Sequence, residues 1–336
     1  MWFTPKIIKK IEKAGLIGRG CNNFPVARKW AAVRRAKAGE KFVVCNVSES
    51  EPGVFKDRHV LRHHLERVID GMLLAMDTVG AKNGFIYLNP EYFAEFNGKL
   101  REIIDLKIGG IGKIELFEKP FHDYIGGDET ALLNSLEGKR VEPRLKPPYP
   151  VSFGLEGKPT LINNCETFYA VSLINENKYK NTRFYSLFGA GVEPEVKEFP
   201  VDITVKKMLQ EFGHEPSAEY FYQVGGGAAG TCYNSKQLNR KFDSNASVII
   251  YSMEESPKNV VMKWLDFFEH ESCGQCVPCR EGTYRLRNLM KKYFETENLD
   301  KEIFDDLVFT LENTSFCALG KVSTTAVLSY LKNVRK

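Results

Sequence analysis

The sequence predicts a mixed chain, with an α/β region first, a small α+β region next and a helical bundle last. Three observations carry this reading. Between residues 42 and 117, short apolar runs alternate with helical periodicity. From about residue 182 to 252 short strands dominate, with one helix among them. From residue 259 onward the apolar residues recur at helical spacing.

In chain order, residues 1–60 mix short apolar runs with loops, and Phe42 to Val47 reads as a buried strand ending in a polar loop. Leu61, Leu65, Val68, Ile69, Met72, Leu73 and Met76 share one face of a helix. Phe85 to Leu88 reads as a strand, Tyr92 to Ile104 as a helix and Ile114 to Phe117 as a strand. Such alternation favours a partly parallel sheet. Residues 138–150 are rich in proline and basic residues, which suit neither a helix interior nor a central strand. Strands follow over 184–188, 196–199, 220–224 and 248–252, with a helix over 205–212. Helices are expected over 259–270, 280–295, 300–312 and 321–333.

Composition narrows the function classes. Hydrophobic residues make up 43% and charged residues 27%, the balance of a folded globular chain. The net charge of +4, from 47 basic and 43 acidic residues, is too balanced to argue for nucleic acid. No apolar stretch reaches the ~18 residues of a spanning helix. Lys6, Lys9, Lys10, Glu12 and Lys13 interrupt the first segment, so no secretory signal is expected. A reducing cytoplasm is therefore the expected setting.

The cysteines carry the strongest chemical signal. Cys21, Cys45, Cys165 and Cys232 are scattered singly. Cys273, Cys276, Cys279 and Cys317 have the spacing C-x2-C-x2-C-x37-C. Three closely spaced thiolates can each take a different iron of one cubane, and a distant fourth closes it. Gly274 and Pro278 suit the tight loop this needs. Zinc is the rival ligand, although structural zinc sites more often pair two ligands with two.

The cysteine motifs, ESCGQCVPCREG over 271–282 and SFCALG over 315–320, resemble those of a known family. It comprises the flavin- and NADH-binding subunit of respiratory complex I and its relatives in NAD-linked hydrogenases and formate dehydrogenases. Three further stretches agree in the same order. These are GRGCNNFPVARKW over 18–30, CNVSESEPGVFKDR over 45–58, and YIGGDETALLNSLEG over 124–138 running on into 143–150 and 158–167.

The resemblance implies an α/β Rossmann-like FMN/NADH-binding domain over 1–180. It also implies a small α+β ubiquitin-like domain, of the soluble-ligand-binding type, over 181–256. A C-terminal α-helical bundle over 257–336 then carries the [4Fe–4S] cluster. NADH gives a hydride to FMN, which returns the electrons singly to the cluster. The implied partners are a thioredoxin-like [2Fe–2S] subunit and further iron–sulfur subunits of a larger complex. Neither nucleic acid nor a direct membrane span is implied. The implied location is cytoplasmic, free or peripheral to a membrane complex.

By the same resemblance Gly18, Arg19, Gly20 and Lys29 hold FMN; on their own they read as turn and surface residues. Asn46, Asn163 and Asn164 bond the flavin, although asparagines also cap turns. Glu49, Glu51 and Glu129 line the catalytic site, with Gly127 and Asp128 beside them. Asp128 and Glu129 alone read as first-turn residues of a helix. Tyr124 and Tyr149 are candidates for contact with the dinucleotide.

Two patterns are set aside. Gly225 to Gly230 matches G-x-G-x-x-G after a strand, but residues 231–243 show no helical period to complete a dinucleotide fingerprint. His59, His63 and His64 read as an exposed helix face, as does the basic run Arg28 to Lys41 apart from Lys29.

The chain also departs from the family. Cys21, Asn22 and Asn23 replace smaller residues of GRGGAGFP near the nicotinamide. Ser48 stands for an aspartate, Ala32 for an aromatic, Gly126 for a cysteine and Asp128 for a glutamate. Two alternatives therefore stay open. One is a flavin and iron–sulfur relay that has lost NADH binding; the other is a zinc-holding, non-enzymatic assembly module.

Overall fold

The computed structural model describes residues 5–20, 23–242 and 246–335. The chain divides into two compact units, Met1–Ser50 with Phe55–Phe184, and Glu51–Val54 with Tyr185–Lys336.

The first unit opens with α1 (Lys6–Lys13) and α2 (Val26–Arg35), where the sequence suggested only short runs and a solvated basic face. Val26, Ala27, Trp30 and Val33 form a buried stripe on α2, and the arginines occupy its other side. Then come β1 (Phe42–Val47), α3 (Lys56–Val79), β2 (Asn83–Leu88), α4 (Pro90–Lys107) and β3 (Lys113–Glu118). The unit continues with α5 (Glu129–Leu136), β4 (Thr160–Asn164) and α6 (Cys165–Asn175).

The four strands run parallel in the order β3-β2-β1-β4. Both faces are covered, as a parallel sheet requires. Phe42, Val44, Tyr87 and Ile162 pack with Leu132 and Leu133 of α5. Gly84, on the other face, lies against Met72 and Met76 of α3. Chain caps set the helix ends. Asn89 accepts from Tyr92 N at the start of α4, with Pro90 in its first turn. Gly80, at φ 78°, terminates α3 in the left-handed region.

The second unit holds a sheet of order β6-β5-β9-β7-β8. Its strands are β5 (Thr182–Gly189), β6 (Glu195–Pro200), β7 (Tyr220–Val224), β8 (Thr231–Asn234) and β9 (Ser247–Ser252), with α7 (Val205–Glu211) between β6 and β7. β5 and β9 are parallel, while β7 is antiparallel to both β8 and β9. Tyr222, Val224, Val248 and Ile250 face a core with Val205, Met208 and Leu209 of α7. The alternate residues Phe221, Ile249 and Tyr251 face the C-terminal helices.

Those helices are α8 (Pro257–Glu271), α9 (Val277–Thr296), α10 (Lys301–Thr314), α11 (Ala318–Val322) and α12 (Thr325–Asn333). A single helix was expected over 321–333, but the chain breaks at Ser323 and Thr324. β8 was not expected at all. It is short, and α12 satisfies its edge: Cys232 N donates to Ser329 Oγ at 2.8 Å and Asn333 Nδ2 donates to Cys232 O at 2.8 Å. Among the described residues no helix is long and apolar enough to cross a membrane.

Gly71 marks the closest approach of α3 to α6. A Cβ there would sit 2.0 Å from Phe168 O. Gly71→Ala is expected to cost about 1–3 kcal/mol by overpacking. Urea unfolding checks this; an unchanged midpoint at an unchanged m-value contradicts the close crossing.

Candidate functional site

The strand order reverses between β1 and β4, so the connections on either side leave a crevice beyond their C-terminal ends. Asn46, near the end of β1, lies in register with Asn164 at the end of β4. Asn164 Nδ2 donates to Asn46 O at 3.3 Å and to Asp57 Oδ2 at 2.7 Å, while its Oδ1 accepts from Glu166 N and caps α6. Asn46 Nδ2 donates to Gly127 O at 3.0 Å, and Asn46 Oδ1 accepts from Ser48 N. Asn163 Oδ1 accepts from the buried Trp30 Nε1 at 3.0 Å. Lys29 Nζ pairs with Glu129 and donates to Ile162 O at 3.1 Å. The fold thus gathers Lys29, Asn46, Gly127, Glu129, Asn163 and Asn164 from four segments spread over more than a hundred residues.

Other expected residues have other settings. Asp128 caps α5, accepting from Thr130 N and Ala131 N, and meets Lys146 Nζ at 3.4 Å. Tyr124 is half-buried at the start of the 3-10 turn Ile125–Gly127, and Tyr149 is exposed. Gly18 N donates to Phe24 O at 2.9 Å, and a Cβ on Gly20 would meet open space. Arg19, only 2% exposed, turns its guanidinium to Tyr179 Oη, to Thr182 O and toward Glu166. Its side chain does not join the cluster around Asn46. Cys21 and Asn22 lie outside the described residues.

Beneath the crevice runs an ionic network that sequence reasoning missed. Lys56 Nζ pairs with Asp57, with Glu166 Oε2 at 3.1 Å and with Asn164 Oδ1 at 3.2 Å. Burial alone would depress the Lys56 ammonium, but Asp57, Glu166 and Glu49 hold its pKa above the ordinary value. Burial likewise opposes ionisation of Glu166, yet Lys56, Arg183 and Arg19 keep its carboxyl below the usual range.

Glu49 accepts from Asp57 N at 3.0 Å and from Tyr92 Oη at 2.8 Å. Desolvation of its carboxylate, reinforced by Asp57, pushes its pKa up to about 8. Lys56 and Asp57 stood inside the 45–58 motif. Nothing local pointed to Tyr92, which arrives on α4.

Within the second unit, Glu51 is buried against the glycine-rich turn between β7 and β8. Ala229 N donates to Glu51 Oε1 at 3.3 Å, and Gly227 N donates to Pro52 O at 3.0 Å. Gly226, at φ 116°, accommodates the carboxylate: a Cβ there would sit 1.9 Å from Glu51 Oε1. A strand follows this turn, so it is no dinucleotide fingerprint.

The same unit brings the four cysteines together. The buried Cys279 thiol is pushed up to about 12 by burial and by the charges of Cys276, Cys317 and Cys273 nearby. Cys276 stands at the N-cap of α9 and Cys317 at that of α11. Ser272 Oγ lies 3.4 Å from Cys279 Sγ and accepts from Gly274 N, whose φ is 75°. Gly320 packs so close that a Cβ would lie 3.1 Å from Cys279 Cβ.

Among the described residues no three His, Cys, Asp or Glu side chains converge on a point that one metal ion could occupy. A cubane needs no such convergence, because each thiolate binds a separate iron.

The histidines were expected on an exposed face. Of His59, His63 and His64 only His63 is exposed; α3 kinks at His64, whose ring packs 4.7 Å from Tyr169 and 5.6 Å from Phe184.

A nucleotide-type crevice on a parallel sheet and a four-cysteine cradle define a chain of the flavin and iron–sulfur class. Residues 11–173 match the family model of the Nuo51 FMN-binding domain, and 259–336 match that of the NADH-ubiquinone oxidoreductase-F iron-sulfur binding region. The F subunit of NADH-quinone oxidoreductase in Aquifex aeolicus is 34% identical over 95% of this chain and 82% of its own length. The alpha subunit of the NAD-reducing hydrogenase HoxS in Cupriavidus necator is 33% identical over 97% of this chain and 59% of its own. A crystal structure of NAD+-reducing [NiFe]-hydrogenase in the H2-reduced state matches with TM-score 0.90 and 30% identity, over 98% of this chain and 61% of that one. The chain thus spans about three fifths of those hydrogenase chains.

The chain belongs to the family of the F subunit of NADH-quinone oxidoreductase. The expectation of an FMN-, NADH- and [4Fe–4S]-linked oxidoreductase subunit is borne out at that level.

Glu49 yields a pH prediction. Its folded pKa lies above the ordinary 4.5, at about 8, so the folded state binds the extra proton. The stability this contributes is complete below pH 4.5 and is lost as pH rises toward 8. Glu49→Gln should flatten that part of the melting-temperature profile of the cofactor-free chain. Tyr92→Phe, which removes a bond favouring the carboxylate, should extend the window upward. Identical profiles in wild type and Glu49→Gln contradict the assignment.

Proposed function

We propose that this chain is the NADH-accepting subunit of a larger electron-transfer complex. FMN occupies the crevice beyond β1 and β4, and Cys273, Cys276, Cys279 and Cys317 hold a [4Fe–4S] cluster. The convergence of Asn46, Gly127 and Asn164 with the Lys29–Glu129 pair at the strand-order reversal carries this reading. FMN, when bound, supplies the exchange between two-electron and one-electron chemistry.

The chain's own residues provide binding and charge. Gly18 and Gly20 leave backbone free of side chains for close approach to the cofactor. Lys29 offers a cation balanced by Glu129, and the asparagines offer amide donors and acceptors. Arg19 contributes through its backbone and by bracing the loop from within. Burial and the charge of Asp57 raise the pKa of Glu49, which lessens the negative charge near a flavin receiving electrons. Asp128 and Glu129 offer acceptors for ribose hydroxyls or a carboxamide, and Tyr124 an aromatic edge.

We assign 1–180 to the Rossmann-like domain, 181–256 to the ubiquitin-like domain and 257–336 to the cluster-bearing bundle. In support, the second sheet orders its strands, counted from β5, as 2-1-5-3-4 around one helix. A thioredoxin-like [2Fe–2S] subunit and further iron–sulfur subunits accept the electrons, in a cytoplasmic module that can sit peripherally on a membrane complex.

Anaerobic NADH titration tests the reading. NADH should bleach the flavin bands and produce a reduced-cluster EPR signal, with about four irons and four acid-labile sulfides per chain. Cys276→Ser should lose most of the iron and sulfide and keep the FMN. Stoichiometric zinc, or a flavin that NADH does not reduce, overturns it.

A further inference from the structure

Lys119 follows β3 directly, and its N–H donates to Leu88 O at 2.8 Å, one step beyond the β2–β3 pairing. Its side chain therefore starts at the C-terminal edge of the sheet, and it is 0% exposed. Nζ donates to Ser48 Oγ at 3.0 Å and to Ser50 Oγ at 3.2 Å. It also donates to Asp123 O and pairs with Asp123 Oδ1 at 3.1 Å.

Asp123 Oδ1 accepts in turn from Gly126 N at 2.9 Å. Gly126 has no room for a side chain: a Cβ would lie 2.5 Å from Asp123 Oδ1 and 2.9 Å from Lys119 Cδ. The aliphatic stem of Lys119 thus lies under the bare backbone of Gly126, next to Gly127, whose carbonyl receives Asn46.

One ammonium therefore joins two stretches of chain. The first is the loop after β1, where Ser48 and Ser50 flank Glu49. The second is the turn Asp123–Gly127 that leads into α5. A buried ammonium is kept charged only by close partners, so both stretches are held to its position. Loops bounding a ligand bind well when their spacing is set beforehand.

We propose that Lys119 is a positioning residue that clamps the Ser48–Ser50 loop to the Asp123–Gly127 turn, fixing the width of the FMN cradle. This rests on the FMN reading above.

The test uses the full chain, wild type against Lys119→Met and the double variant Lys119→Met/Asp123→Asn. The single variant strands a carboxylate; the double variant removes it. Melting temperature and iron content report folding, and the cysteine cradle lies in the second unit. Titration with FMN reports affinity, and visible circular dichroism at saturating FMN reports how the flavin sits.

Both variants should bind FMN at least about tenfold more weakly and show an altered flavin dichroism, while iron and sulfide stay at wild-type content. The double variant should regain melting temperature without regaining FMN affinity. Should the single variant fail to fold, the double variant alone decides. Wild-type affinity and dichroism in the double variant overturn the clamp. Failure of the wild-type chain to bind FMN instead overturns the functional reading itself.

Discussion

The Lys56 ammonium is the interaction on which the first unit's site depends. It sits at the start of α3, almost free of solvent, between Asp57, Glu166 and Asn164. Those partners belong to the N-terminus of α3, the N-terminus of α6 and the end of β4. One charge therefore ties together the chain ends that surround the crevice. Removing one partner of such a buried group typically costs about 3–5 kcal/mol, because the remaining charge is left uncompensated. The same network governs Glu49. Asp57 supplies the backbone N–H that binds its carboxylate and also the negative charge that raises its pKa.

The second unit solves a different problem, that of a five-stranded sheet with both faces covered. One face takes α7 and the other takes the C-terminal helices, so the sheet core and the bundle core share strands β7 and β9. Trp264 Nε1 and Tyr251 Oη both donate to Gln223 Oε1, giving this seam a satisfied polar contact. The bundle anchored there presents Cys276 at the N-terminus of a twenty-residue helix, where unpaired N–H groups favour negative charge. That suits a thiolate bound to a cluster.

Legibility followed the range of the signal. β1 and β9 were readable because continuous apolar runs mark strands buried on both faces, and the edge strand β3 because its apolar residues recur between charged ones. α2 was hidden because its arginines dominate the composition, while only the three-dimensional face made Val26, Trp30 and Val33 one stripe. β8 was hidden because Cys232 is buried beneath α12, about a hundred residues later, and Tyr233 in the core with α7, so neither burial is a local signal. In the site, Lys29, Asn46, Asn163, Asn164 and the cysteines could be singled out by motif. Tyr92, Lys119 and Glu166 could not, since each acts through a partner remote in sequence, and Asp123 gains its place only through Lys119. Asp128 and Arg19 matched the motif as well, yet their side chains cap a helix and brace a loop.

The sequence by itself determined the candidate chemistry: four thiols at cluster spacing, amides and glycines in the flavin-type motifs, and a family in which these occur together. It determined most of the strands and helices as well, with α1, α2 and β8 among the exceptions, because apolar periodicity is a local property. Tertiary structure alone decided which of those residues meet. The reversal of strand order between β1 and β4 brings Asn46 to Asn164, and buried ammoniums at Lys56 and Lys119 hold the loops around them. Spacing along a chain is set residue by residue. Convergence across a hundred residues is set by crossover topology and by the need of every buried charge for a partner.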